Sequence, residues 1–146
     1  MQEKLVKGSE TILFVDDEEM VIEVGKAMLE RLGYHVIIAK GGRPAVETIS
    51  RVGKGIDMVI LDMVMPDLDG SRVFERIRKI KPNLPVLLSS GYAFDSPAAK
   101  VLRRGCNGFI QKPFSIYELA RKLRKILDGA KTCQPSIACR NNLQAF

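Results

Sequence analysis

Five short apolar runs punctuate this chain: T-I-L-F-V at 11–15, H-V-I-I-A at 35–39, M-V-I-L at 58–61, V-L-L-S at 86–89 and G-F-I-Q at 108–111. They are short, enriched in Val, Ile and Leu, and do not alternate cleanly with polar residues, as strands covered on both faces do not. Between and after them lie segments whose apolar residues recur at spacings of three and four, the period of a helix face. Strand and helix in strict alternation have one economical solution. It is a doubly wound α/β fold, in which helices cover both faces of a five-stranded parallel sheet through right-handed crossovers. Two strand orders are open to such a sheet. Both bring the carboxyl ends of all strands to one edge, where ligands bind near the topological switch point.

The helices have readable starts and stops. The first begins in Asp16-Asp17-Glu18-Glu19, whose carboxylates suit free N–H groups and the positive end of the dipole. Val21, Val24, Met28 and Leu32 give it one apolar stripe, and Gly33 stops it. Pro44 fits the first turn of a second helix running to about Arg51. Asp69 can cap a third, with Val73, Phe74, Ile77 and Ile80 inward. A fourth runs over about 96–104 and ends at Gly105. Ser115 with Glu118 forms a capping box for the last, whose face is Ile116, Leu119, Leu123, Ile126 and Leu127 and whose end is Gly129. One domain over 10–128 follows, with a flexible leader at 1–9 and a tail or linker at 129–146.

Several function classes drop out. No apolar run approaches the length that spans a bilayer, and the polar start has no signal-peptide core, so the expected location is cytoplasmic. Cys106, Cys133 and Cys139 are an odd, unpaired set, read as reduced thiols; with His35 the one histidine, zinc has no ligand set. His35 itself reads as a strand-edge side chain. Charge is lopsided: residues 1–70 hold 8 basic and 13 acidic residues (net −5), and 71–146 hold 15 and 4 (net +11). No aromatic residues interleave with the basic ones, so direct nucleic-acid binding is not expected.

The residues that end the strands carry the chemistry. Strand one ends in Asp16 and Asp17, strand three in Asp62, strand four in Ser90 and strand five in Lys112. Singly, each has an ordinary reading: a helix cap, a turn residue before Met65-Pro66, a loop hydroxyl, a solvated lysine. None of those readings predicts that all five meet at one edge. Three clustered carboxylates repel one another unless a hard cation bridges them, and oxygen ligands suit Mg²⁺, which keeps waters and accepts phosphate oxygens. A carboxylate there can attack phosphorus, with metal and lysine neutralising the transferred group.

V-D-D-E at 15–18, L-D-M-V-M-P-D-L-D-G at 61–70, S-G-Y at 90–92 and K-P-F at 112–114 stand in an order and spacing that resemble the receiver domains of two-component response regulators. The resemblance covers about residues 10–128. It implies a flavodoxin-like (βα)5 fold with strand order 2-1-3-4-5, and a signalling domain rather than an enzyme beyond self-phosphotransfer and slow autodephosphorylation. It further implies that Asp62 is the phosphoacceptor. Asp17, Asp62 and the backbone carbonyl of Val64 would bind Mg²⁺, and Asp16 would act through the metal's water shell. Lys112 would pair with the phosphoryl group, next to a cis peptide before Pro113. Ser90 and Phe109 would form the switch, with Ser90 preferred over Ser89 because Gly91 follows it. Val64 and Tyr92 occupy the two positions that tune acyl-phosphate lifetime; neither suits a water-positioning role, and an apolar Val64 and a bulky Tyr92 are expected to shield the site and make autodephosphorylation slow.

The implied partners are a histidine kinase or phosphotransfer domain as donor and an output partner. The output surface holds Lys100, Arg103, Arg104, Arg121, Lys122, Arg124 and Lys125 against few acids. That imbalance points to an acidic partner and leaves dimerisation open. The phrasing of the motifs is most similar to receivers fused to hybrid sensor histidine kinases. Two rivals fit less well. A haloacid-dehalogenase-type phosphatase needs an acid where Val64 stands, and a flavodoxin needs a neutral first loop where this one is acidic.

Overall fold

The computed structural model describes residues 4–94 and 96–132. Its elements are β1 (Thr11–Val15), α1 (Glu19–Arg31), β2 (His35–Ala39), α2 (Gly42–Val52), β3 (Met58–Asp62), α3 (Gly70–Ile80), β4 (Val86–Ser90), α4 (Ser96–Arg103), β5 (Gly108–Gln111) and α5 (Ile116–Thr132), with a 3-10 turn at Gly53–Gly55. The strands pair in parallel in the order β2-β1-β3-β4-β5, the order the resemblance implied. β3 is buried along its whole length between two apolar layers. One layer packs Leu13, Val59, Leu61 and Leu88 against α2, α3 and α4; the other packs Ile12, Phe14, Ile60 and Leu87 against α1 and α5. The unbroken apolar runs follow from this double cover.

Local chemistry sets the helix ends. Asp69 caps α3 by accepting from the Arg72 N–H at 3.0 Å, and Ser115 Oγ accepts from the Glu118 N–H at 3.1 Å. Removing the first of these, with Asp69→Ala, is expected to cost about 1 kcal/mol in a urea titration. Gly33 and Gly105 end their helices at φ +96° and +105°, in the left-handed region glycine tolerates. Gly129 does not end α5. The helix runs on to Thr132 because a glycine stops a helix only where the backbone turns left-handed, and no positive φ occurs there.

The face expected for α1 needs correction. Its buried residues are Ile22, Gly25 and Leu29, followed by Leu32, whereas Val24 is 53% exposed and Met20 76% exposed. Gly25 hid the true stripe, because it contributes contact without a side chain. A Cβ at that position would come within 2.5 Å of the Phe14 ring.

Residues 4–10 carry no regular secondary structure, yet the Gly8 N–H donates to Leu32 O at 2.9 Å and Glu10 pairs with the half-buried Arg124 at 2.8 Å. His35 is exposed on the edge strand β2. Cys106 is a buried free thiol, pushed up by burial; Cys133 and Cys139, with the rest of the expected tail from 133 on, lie outside the described residues.

Candidate functional site

The carboxyl ends of β1, β3 and β5 meet as the topology requires. Lys112 Nζ sits 3.1 Å from Asp16 Oδ2 and 3.2 Å from Asp62 Oδ1, with Asp16 and Asp62 almost fully buried. Asp17, exposed, completes a group of three carboxylates whose oxygens lie within 4.8 Å of one another. The helix-cap reading of this acidic run falls away. The N-cap of α1 is Glu18, with no side-chain cap bond, and Asp16 uses one oxygen on the Glu18 N–H (3.0 Å) and the other on Lys112.

Burial, then the charge of Asp16, push the Asp62 carboxyl up to about 6 against the pull of Lys112. Burial alone would lower the Lys112 ammonium, but Asp62 and Asp16 outweigh it and hold it above the ordinary lysine range. Repulsion between Asp16 and Asp62 is thus only partly relieved by one ammonium. All the donors are hard oxygens, a set that suits Mg²⁺.

The cleft over this cluster has a volume of about 970 Å³. Val64 and Tyr92 line it beside Asp62 and are themselves 60% and 68% exposed. Another wall is apolar, made by Met20, Val21, Val24 and Met28 of α1. Sequence periodicity had assigned three of those four to the core.

Ser90 and Phe109 are placed differently from the acids. Register pairs Asp62 with Ser89, Leu88 with Phe109 and Ser90 with Gln111. Side chains alternate along a strand, so Ser89 shares the sheet face of Asp62, while Ser90 shares that of Leu88 and Phe109. Ser90 Oγ accepts from the Tyr92 N–H at 3.1 Å. The Phe109 ring meets exposed Phe94 edge-on at 5.4 Å, and its carbonyl accepts from Lys122 Nζ. The Lys112–Pro113 peptide is cis, as the resemblance implied.

The family model for the response regulator receiver domain matches residues 12–124. The chain belongs to that family. It is a receiver domain of two-component signalling. Among curated relatives, the receiver is 36% identical over 123 residues to the sensor kinase CckA of Brucella abortus, covering 84% of this chain and 13% of the kinase. It is 31% identical over 131 residues to the alkaline phosphatase synthesis transcriptional regulatory protein PhoP of Bacillus subtilis, covering 90% of this chain and 54% of that protein. The chain therefore spans about half or less of these relatives. Among solved structures, a response regulator receiver domain from Clostridium thermocellum superposes with a TM-score of 0.81 at 26% identity, covering 86% of this chain and 99% of that one. The receiver domain of the sensor histidine kinase PA1611 from Pseudomonas aeruginosa, with a magnesium ion coordinated in its active-site cleft, gives a TM-score of 0.75 at 29% identity, covering 83% and 99%.

Among the seven basic residues expected on the output surface, Arg104, Lys122 and Arg124 make identifiable bonds within the fold. Arg104 pairs with Glu75 at 2.6 Å, Arg124 with Glu10 and Asp128, and Lys122 with the Phe109 carbonyl. Among the described residues, no helix is long and apolar enough to cross a membrane.

Proposed function

We propose that this receiver accepts a phosphoryl group on Asp62 from a histidine kinase or phosphotransfer domain, and passes the event to a partner by changing conformation. The observation that carries the reading is the Lys112 ammonium shared between Asp16 and Asp62, 3.1 and 3.2 Å away, beside the third carboxylate. Asp17, Asp62 and the Val64 carbonyl are the assigned Mg²⁺ ligands, with Asp16 acting through coordinated water. Bound there, the ion supplies the positive charge that keeps Asp62 ionised and neutralises phosphoryl oxygens.

An Asp62 oxygen then attacks phosphorus while the P–N bond to the donor imidazole breaks, its electron pair leaving with the imidazole. Lys112 pairs with a phosphoryl oxygen. The Ser90 hydroxyl, an acceptor of the Tyr92 N–H, donates its own proton to another phosphoryl oxygen. Phe109, on the same sheet face as Ser90, follows it and biases the output surface. Slow autodephosphorylation rests on Val64 and Tyr92, which line the cleft beside Asp62 and have no acid or amide to position an attacking water.

Exposed apolar side chains beside a reactive carboxylate suit a helical donor better than they suit water. We assign the α1 wall, Met20 and Val24 above all, to donor docking. Val24→Asp is expected to slow transfer from a phosphorylated donor about tenfold while labelling by acetyl phosphate is retained. Equal rates with the donor would remove α1 from the interface.

The similarity to the CckA kinase, together with the motif phrasing, supports a receiver that works within or beside a hybrid kinase. A cytoplasmic location fits the same reading, in keeping with Cys106 as a reduced thiol. Exposed Lys100, Arg103 and Lys125 support an acidic output partner. Incubation with acetyl phosphate and Mg²⁺ tests the whole: the wild type should gain one acid-stable, alkali-labile phosphate, and none after chelation. No incorporation with Mg²⁺ present would sink the reading.

A further inference from the structure

The loop between Asp62 and α3 is closed at its base, where the Gly70 N–H donates to Met63 O at 2.8 Å. A Cβ at Gly70 would come within 2.6 Å of the Asp62 carbonyl oxygen, so the loop cannot close this tightly around any other residue. Its far end is held by a different element. Asp67 Oδ1 accepts from the Gly42 N–H at 3.1 Å, and Oδ2 from the Arg43 N–H at 3.0 Å, partners 25 and 24 residues away in sequence. These N–H groups belong to the first turn of α2, where a helix has no acceptors of its own. The α2 N-cap, Gly41, has no side chain to offer and adopts φ +143°. A Cβ at Gly41 would lie 2.9 Å from Asp67 Oδ2, and one at Gly42 would lie 2.5 Å from Leu68 O. The glycine pair is therefore what lets the loop reach α2.

We propose that Asp67 is a positioning residue for the Asp62 loop: by capping α2 from the neighbouring loop, it fixes the backbone that presents Asp62 and the Val64 carbonyl to the metal. The proposal rests on the reading of those two groups as Mg²⁺ ligands. Both bonds are charge-assisted, and the Arg43 and Gly42 N–H groups hold the Asp67 carboxyl below its usual range, so it stays ionised at neutral pH. A second-layer contact of this kind acts on ligand geometry and not on the reacting atoms.

The test is calorimetric titration with Mg²⁺ at neutral pH for wild type, Asp67→Ala and Asp67→Asn, with a urea titration of each. Asp67→Ala is expected to weaken Mg²⁺ binding about tenfold. Labelling by acetyl phosphate should then need correspondingly more Mg²⁺ for half its maximal rate. Asp67→Asn keeps one oxygen acceptor and should lose only about threefold. A cap that merely stabilises α2 would lower the urea midpoint of Asp67→Ala and leave its Mg²⁺ affinity at the wild-type value, which overturns the proposal. Should Asp67→Ala fail to fold, wild-type affinity in Asp67→Asn overturns it equally. Failure of the wild type itself to bind Mg²⁺ would defeat the ligand reading and the proposal with it.

Discussion

Replacing Lys112 with Met is expected to slow phosphorylation by acetyl phosphate about a hundredfold at saturating Mg²⁺, as loss of one preorganised charge does elsewhere. Two effects act in the same direction. The ammonium now pulls the Asp62 carboxyl down toward ionisation, against burial and Asp16. Without it the nucleophile is protonated more of the time. The second effect is on the transferred group, whose developing charge loses a partner held within a hydrogen bond of the attacking carboxylate. Lys112→Arg separates the two, because it keeps the charge but replaces a compact ammonium by a planar fork. It should fall between wild type and Lys112→Met. Initial rates of label incorporation measure all three, and a Lys112→Met rate within a few-fold of wild type would remove Lys112 from the chemistry.

The metal-free protein should become more stable when Asp62 is made Asn. The folded carboxyl sits at about 6, above its ordinary value of 3.8, so the native state binds the proton more tightly than the unfolded chain does. Its stabilising contribution is fully present below the unfolded value and is lost as pH rises through about 6. Such a shift corresponds to about 3 kcal/mol, reduced by whatever the pairing with Lys112 returns. Asp62→Asn never acquires the charge. We expect it to exceed wild type by about 2 kcal/mol in urea at pH 8 without Mg²⁺, with the gap closing toward pH 4. Added Mg²⁺ should raise wild type more than the variant. A variant less stable than wild type at pH 8 would mean that Lys112 over-compensates the repulsion.

Much of this was legible in the chain because strand ends are legible. An unbroken apolar run that stops at Asp16, Asp62 or Lys112 declares where the sheet ends, and a parallel sheet has only one such edge. The caps at Asp69 and Ser115 were equally plain, since they are local. Misreadings arose where contact does not follow side-chain hydrophobicity. Gly25 packs on Phe14 without a side chain, so the stripe of α1 appeared rotated onto Val24 and the exposed wall of the cleft went unseen. Gly129 looked like a stop, but a glycine can remain helical. Asp67 reaches α2 across the fold, and its bonds join positions that no local pattern links. The sheet faces of Ser89, which pairs with Asp62, and of Ser90, which lies with Leu88, are a matter of register fixed by pairing rather than by composition.

Asp62 is the proposed carrier of the phosphate. Protein labelled with acetyl phosphate and Mg²⁺ can be reduced with borohydride, which converts an aspartyl phosphate to homoserine, and then digested and sequenced by mass spectrometry. Homoserine is expected at position 62 and at no other aspartate, and is expected to be absent when Mg²⁺ is chelated. Conversion at Asp16 or Asp17, or phosphate recovered on His35, would contradict it.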